Sequence, residues 1–322
     1  MSVIQLLRRT YTLSADQMKA ALLGALSFFG LAYTAVWVAH LFRTRGHWAG
    51  GIGMPMWPQL GIGFLTNFMD TLGIGSFAPT TAIYKLLHLI PDDLIPGTIN
   101  AGGVLPVIVE AFIFIATIEV DLRTLASMIG AAVLGAWFGA GMVCHWPKRR
   151  IQIGLGLALL VASLLTLGAQ LHWYPAGGSS LGLTGISLWI AVGCNFIFAA
   201  FMQLGVGLYA PCMILVYLLG MSPRAAFPIM MGSCAFLMPV GSYRFLRSGR
   251  YSAKAALGLT TGGIPAILLA AYLVRSLPLG TIRWLVFFVA LYAAMMLLRS
   301  AWSETSNQAK APKTADAGPQ PA

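Results

Sequence analysis

Seven stretches of this chain, near residues 20–41, 98–118, 124–144, 150–172, 225–243, 255–274 and 281–299, stay apolar for about the length of one membrane crossing. A hydrocarbon core about 30 Å thick needs roughly 17–25 such residues in a helix. Inside it every backbone N–H and C=O must be paired within the protein, which leaves only helices and closed barrels. The runs are continuous instead of alternating, which argues against barrel strands. Charged residues make up only 9% of the 322, against about a quarter in soluble domains. The pattern predicts an all-α, polytopic membrane protein with about seven full spans, multi-pass in the lipid bilayer of a bacterial-type inner (cell) membrane.

The formal net charge of +11 does not point to nucleic acid, because the basic residues fall in short clusters between apolar runs: Lys148, Arg149 and Arg150, then Arg244, Arg247, Arg250 and Lys254. Such clusters hold their loops in the cytoplasm. Cys144, Cys194, Cys212 and Cys234 lie in apolar segments without metal-ligand spacing, so they read as small packing residues. The five histidines sit at segment ends and the fifteen methionines are scattered. No nucleotide-binding, zinc-protease or nucleophile-elbow motif is present. The expectation is a non-enzyme without cofactor or metal.

Two regions, 57–90 and 189–222, are too long for one crossing and are interrupted by glycines at 73–75 and 205–207. Each reads as two short helices joined by a break. Shifting the chain by 132 residues aligns 61–96 with 193–228 without a gap and gives eleven identities, among them Gly73/Gly205, Gly75/Gly207, Pro79/Pro211, Pro91/Pro223 and Pro96/Pro228. Shared hydrophobicity does not keep prolines and glycines in register, so the chain holds two copies of one unit. The organisation expected is an N-terminal segment with an extra helix (1–50), two repeats (51–173 and 184–300) and a disordered polar tail (301–322). If each broken pair is re-entrant, a unit crosses three times and the second copy is inverted. That arrangement puts both large basic clusters on one side, as the charge rule requires.

Non-helical backbone at membrane depth survives only where protein or a polar cavity surrounds it. The breaks are therefore the candidate site. Glycine lets the chain turn and approach a ligand closely, and Ser76 with Pro79 reads as the cap and first turn of a half-helix whose positive end faces the midplane. Two such ends suit a small anion. The candidate substrate-binding residues are Asn67, Thr71, Gly73, Gly75, Ser76 and Thr80 in the first copy, with Gln203, Gly205, Gly207 and Cys212 in the second. Asp70 and Glu110 are costly at this depth unless neutral or paired. They are read either as a proton-coupling path or as neutral hydrogen-bonding acids between helices.

The breaks LGIGSFAP and LGVGLYAP, the prolines of LIPDDLIP and MSPRAAFP, and the segment YRFLRSGRYS together resemble the TauE/SafE sulfite-exporter family over roughly residues 55–300. The chain differs from the usual pattern in having GIGSF and GVGLY where that family often carries a run of glycines. The resemblance implies a secondary transporter or exporter of sulfite, another small sulfur-containing anion or an organosulfonate. Two other readings stand beside it: a proton- or cation-coupled carrier of a different small solute organised around Asp70 and Glu110, and a non-transporting membrane scaffold.

Overall fold

The computed structural model describes residues 15–43, 57–73, 75–87, 89–90, 94–142, 178–203, 207–249 and 251–276, with isolated positions at 153–171 and 284–302. Every regular element among them is a helix: α1 (Ala15–Arg43), α2 (Trp57–Thr71), α3 (Phe77–Leu86), α4 (Ile95–Thr117), α5 (Leu122–Met142), α6 (Gly185–Met202), α7 (Tyr209–Leu218), α8 (Pro223–Ser248) and α9 (Ala253–Ser276). A single bridge between Ser180 and Met221 is the one strand-like pairing among the described residues.

Five helices are long and apolar enough to cross a membrane: Asp16–Arg43, Gly97–Thr117, Gly185–Met202, Pro223–Ser248 and Ala253–Tyr272. This is a multi-pass membrane protein. Four of the five coincide with expected spans, and the expected span at 124–144 is helical as α5. The spans expected at 150–172 and 281–299, the tail from 301 and the first fourteen residues lie outside the described residues apart from isolated positions. α6 departs from the expectation of two short helices per broken region, since its 18 residues already have the length of a span. The apolar run starts earlier than expected, at Gly185 directly after the extended Thr184.

The repeat is visible in the packing. α3 and α7 begin and end 132 residues apart, at Phe77/Tyr209 and Leu86/Leu218. Exchanging the two copies maps α2 onto α6, α3 onto α7, α4 onto α8 and α5 onto α9. The contacts exchange as well: α2 packs on α9 and α6 on α5, α4 on α9 and α8 on α5, α3 on α4 and α7 on α8. The remaining large contact, α4 on α8, maps onto itself. α1 stands outside this scheme, against α4, α8 and α5, with much of its apolar surface exposed.

Side-chain contacts give the directions. Phe114, late in α4, stacks on Phe227, early in α8, with ring centroids 5.4 Å apart. At the other end the Ser252 N–H, just past α8, donates to Thr98 Oγ1, early in α4, at 2.8 Å. Thus α4 and α8 run antiparallel. α5 runs parallel to α8: Gly232 lies on Ile129, and Ala136 and Trp137 share a groove with Pro239 and Val240. Both end at what we term the basic end, where α8 carries Arg244 and Arg247. At the far end the Lys19 ammonium donates to the Ala116 carbonyl at 2.8 Å.

The start of α6 and the end of α7 lie together at the far end. Ser180, ahead of α6, accepts a hydrogen bond from the Ser222 N–H, behind α7, at 2.8 Å. The α2–α3 pair belongs to the basic end, because α2 lies parallel to α9, with Gln59 on Gly258 and Asn67 on Gly263, and α4 also sets out from there. Glycines allow these helices to approach closely. A Cβ at Gly262 would run into the Leu60 carbonyl, and one at Gly135 into the Phe196 carbonyl.

Two outcomes follow. In a background lacking native cysteines, single cysteines at Lys148 and Arg247 react with an impermeant thiol reagent from one face and a cysteine at Ser179 from the other; opposite-face labelling of 148 and 247 refutes this topology. Gly262→Val lowers thermal stability in detergent by about 1–3 kcal/mol through overpacking, whereas Gly24→Val, with nothing within 4 Å of its Cβ, leaves it unchanged.

Candidate site at the meeting of the two helix breaks

The first break is a turn that glycine makes available. Gly73 and Gly75 have φ of 88° and 84°, in the left-handed region closed to most L-residues. A Cβ on Gly73 would also lie 2.7 Å from the Met213 methyl, so a side chain there needs that methionine to shift. The two breaks touch. A Cβ on Gly75 would meet Tyr209 Cβ at 4.0 Å, and one on Gly207 would meet Phe77 Cβ at 3.8 Å. The offset of 132 pairs Gly75 with Gly207 and Phe77 with Tyr209, so these are one contact seen from both copies. Gly75 and Gly207, which close the two breaks, therefore each lie beside the first residue of the other copy's short helix.

At this junction the chain gathers its buried acids. Glu110 and Asp70 are 0% and 2% exposed. The Tyr209 hydroxyl donates to Glu110 Oε2 at 2.7 Å, which ties the second tip to α4 of the first copy. Thr71 Oγ1 is bonded to both Glu110 Oε1 and the Asn67 carbonyl. A threonine hydroxyl has one proton, and a carbonyl only accepts. The arrangement in which every contact has its own proton is Thr71 donating to Asn67 and a protonated Glu110 donating to Thr71. Asp70 accepts the Ser76 N–H at the start of α3, so the chain's own carboxyl occupies that helix N-terminus.

The other expected site residues are distributed around this junction. Asn67 turns to α9, donating to the Gly63 carbonyl at 2.8 Å and the Leu259 carbonyl at 3.4 Å, away from the tip. Thr80 and Cys212, equivalent positions on the first turns of α3 and α7, are both buried, and Thr80 Oγ1 makes no hydrogen bond among the described residues. Gln203, the equivalent of Thr71, is 7% exposed and packs against Gly241. Neither its amide nitrogen nor its amide oxygen has a hydrogen-bond partner among the described residues. Gly205 lies outside the described residues. The structure thus brings Asp70, Thr71, Gly73, Gly75, Ser76, Glu110 and Gly207 to one place.

Tyr209 was not among the expected residues, although it supplies a hydrogen bond between the copies at the junction. The repeat carried the signal: Tyr209 stands where the first copy has Phe77, a hydroxyl gained at the tip. Cys234 and Met202, whose sulfurs lie 3.7 Å apart, line the same core.

No protein-family model, curated protein or solved structure matches this chain.

The hydrogen-bond accounting is testable through stability. A glutamine amide both donates to Thr71 and accepts from Tyr209, so Glu110→Gln leaves the unfolding temperature in detergent nearly unchanged. Tyr209→Phe strips a buried carboxyl oxygen of its donor and costs about 1–3 kcal/mol. Equal, large losses in both variants contradict a protonated Glu110.

Proposed function

We propose that this protein is a secondary transporter or exporter of a small anion, with sulfite, other small sulfur-containing anions and organosulfonates as the substrate class, in a bacterial-type inner membrane. In this reading the two copies form an inverted repeat with re-entrant hairpins, and substrate passes where their tips meet. The observation that carries it is the tip-to-tip contact of Gly75 with Tyr209 and of Gly207 with Phe77. Broken helices from opposite ends that face each other in the interior make a small polar site in an apolar protein. Antiparallel α4 and α8 support the inversion, and the Ser180–Ser222 bond supports a hairpin that leaves and returns at one end. Gln203 and Thr80 add buried hydrogen-bonding groups free to engage a solute. The substrate class rests on the resemblance to the sulfite-exporter family.

A second reading, a proton- or cation-coupled carrier of another solute, is favoured by one observation: Asp70 already fills the N-terminus of α3. The two readings meet if the acids carry the coupling proton. Neutral acids do not repel an anion, and an anion that arrives with a proton keeps the site's charge balanced.

The test is flux in proteoliposomes, offering sulfite, sulfate, thiosulfate and small sulfonates with and without a pH gradient. At least one of them moves in the wild type. Gly75→Val and Gly207→Val abolish that flux while the protein stays folded and inserted, and Gly24→Val does not. Glu110→Gln retains substrate binding but loses the response of flux to the pH gradient, because an amide does not titrate. Absence of flux for the whole panel removes the anion reading, and an unchanged pH response in Asp70→Asn and Glu110→Gln removes the proton path.

A further inference from the structure

A groove of about 780 Å³ opens at the basic end between α1, α5 and the last turns of α8. Its walls are apolar, built from Phe29 and Val36 of α1, Trp137 of α5 and Pro239 of α8. Its rim is cationic, with Arg244 and Arg247 both exposed. The Arg247 guanidinium stands 5.7 Å from the centroid of the Tyr243 ring, a cation–π contact that holds it beside the groove. Among the described residues no aspartate or glutamate lines the groove to neutralise the pair.

We propose that this groove binds one anionic phospholipid, its phosphate on Arg244 and Arg247 and its acyl chains between α1 and α5. The chemistry is complementary at both ends. Guanidinium forks match phosphate oxygens in geometry and charge, and basic pockets between spanning helices at the cytoplasmic face take anionic headgroups. The basic end is the face that the charge rule assigns to the cytoplasm. Arg244 is one turn before Arg247 on α8, so both reach the same headgroup depth while the aromatic and aliphatic walls lie deeper in the bilayer. The site also has a structural reason to exist. α1 belongs to neither repeat and meets α5 only weakly, so a lipid seated here packs the seam between the extra helix and the repeat core. This site is separate from the junction of the breaks and does not depend on what the junction carries.

The experiment uses the full-length protein in mild detergent, mixed with equal amounts of phosphatidylglycerol and phosphatidylcholine, with retained lipid counted by native mass spectrometry. The expected result is one phosphatidylglycerol per chain in preference to phosphatidylcholine. The double variant Arg244→Gln, Arg247→Gln weakens that binding about thirtyfold, from about a factor of five for each basic residue near an anionic headgroup. Ala32→Trp, which fills the groove from α1 with both charges intact, weakens it too, and Arg224→Gln at the opposite end of α8 does not. Unfolding temperatures in phosphatidylcholine alone, equal across the variants, show that the fold is kept. Equal retention of the two lipids by the wild type overturns the proposal, as does unaltered retention in the double variant. So does loss in the arginine pair with none in Ala32→Trp, or displacement of the lipid by an equal concentration of glycerol phosphate, either of which identifies a site for a free anion.

Discussion

A helix that breaks inside an apolar core leaves backbone donors and acceptors that hydrocarbon does not satisfy, at several kcal/mol for each group. This chain breaks twice, and each break is sheltered by the other. Gly75 lies beside Tyr209 and Gly207 beside Phe77, so the described end of each break is set against the other copy. The rest of the fold follows from keeping those tips together. α4 and α8 cross antiparallel behind them, Phe114 and Phe227 stack across that pair, and α8 is buried over most of its length because it backs the second hairpin while packing against α4 and α5.

The duplicated scaffold carries unequal chemistry. Asp70, Thr71 and Glu110 of the first copy correspond to Met202, Gln203 and Ser242 of the second. One half therefore holds both acids and the other a neutral amide. Thr71 is drawn into the acid network, whereas Gln203 packs on Gly241 with its amide unengaged. In the proposed transporter, the first half handles the proton and the second offers hydrogen bonds to the solute. A perfectly symmetric pair would put like charges face to face, which a low-dielectric site disfavours.

Much of this was legible in the sequence because it was written in periodicity and in rigid residues. The apolar runs located α1, α4, α5, α8 and α9, and the glycines and prolines in register located the first break and the matching short helices α3 and α7. The less legible parts depended on side-chain direction. Asn67 sits one turn before Thr71, close enough in sequence to belong to the site, yet its amide points to α9 because Gly63 and Gly263 leave space there. The full length of α6 was hidden by the weak boundary at Gly185, where no side chain caps the helix. Tyr209 was hidden in another way: a tyrosine in an apolar run reads as packing until Glu110, 99 residues away, is brought to its hydroxyl.

That bond explains how a proton could be felt across the two copies. Tyr209 starts the short helix of one copy and Glu110 lies in a helix of the other, so their contact spans the interface that the proposed transporter opens and closes. With Glu110 protonated, each contact from the Asn67 carbonyl through Thr71 to Glu110 has a proton of its own. Removing that proton leaves Thr71 with one hydrogen between two acceptors, one of them a full negative charge, while Tyr209 still donates to the other oxygen. The carboxylate then competes with the Asn67 carbonyl for the Thr71 hydroxyl at the last turn of α2, directly before the Gly73 turn. Proton loss thus rearranges the hydrogen bonds beside the Gly73 turn and strengthens the charge that attracts the Tyr209 hydroxyl. In the proposed transporter an anion at the junction opposes that ionisation by repulsion, so substrate and proton favour the same state, as coupled movement of the two requires.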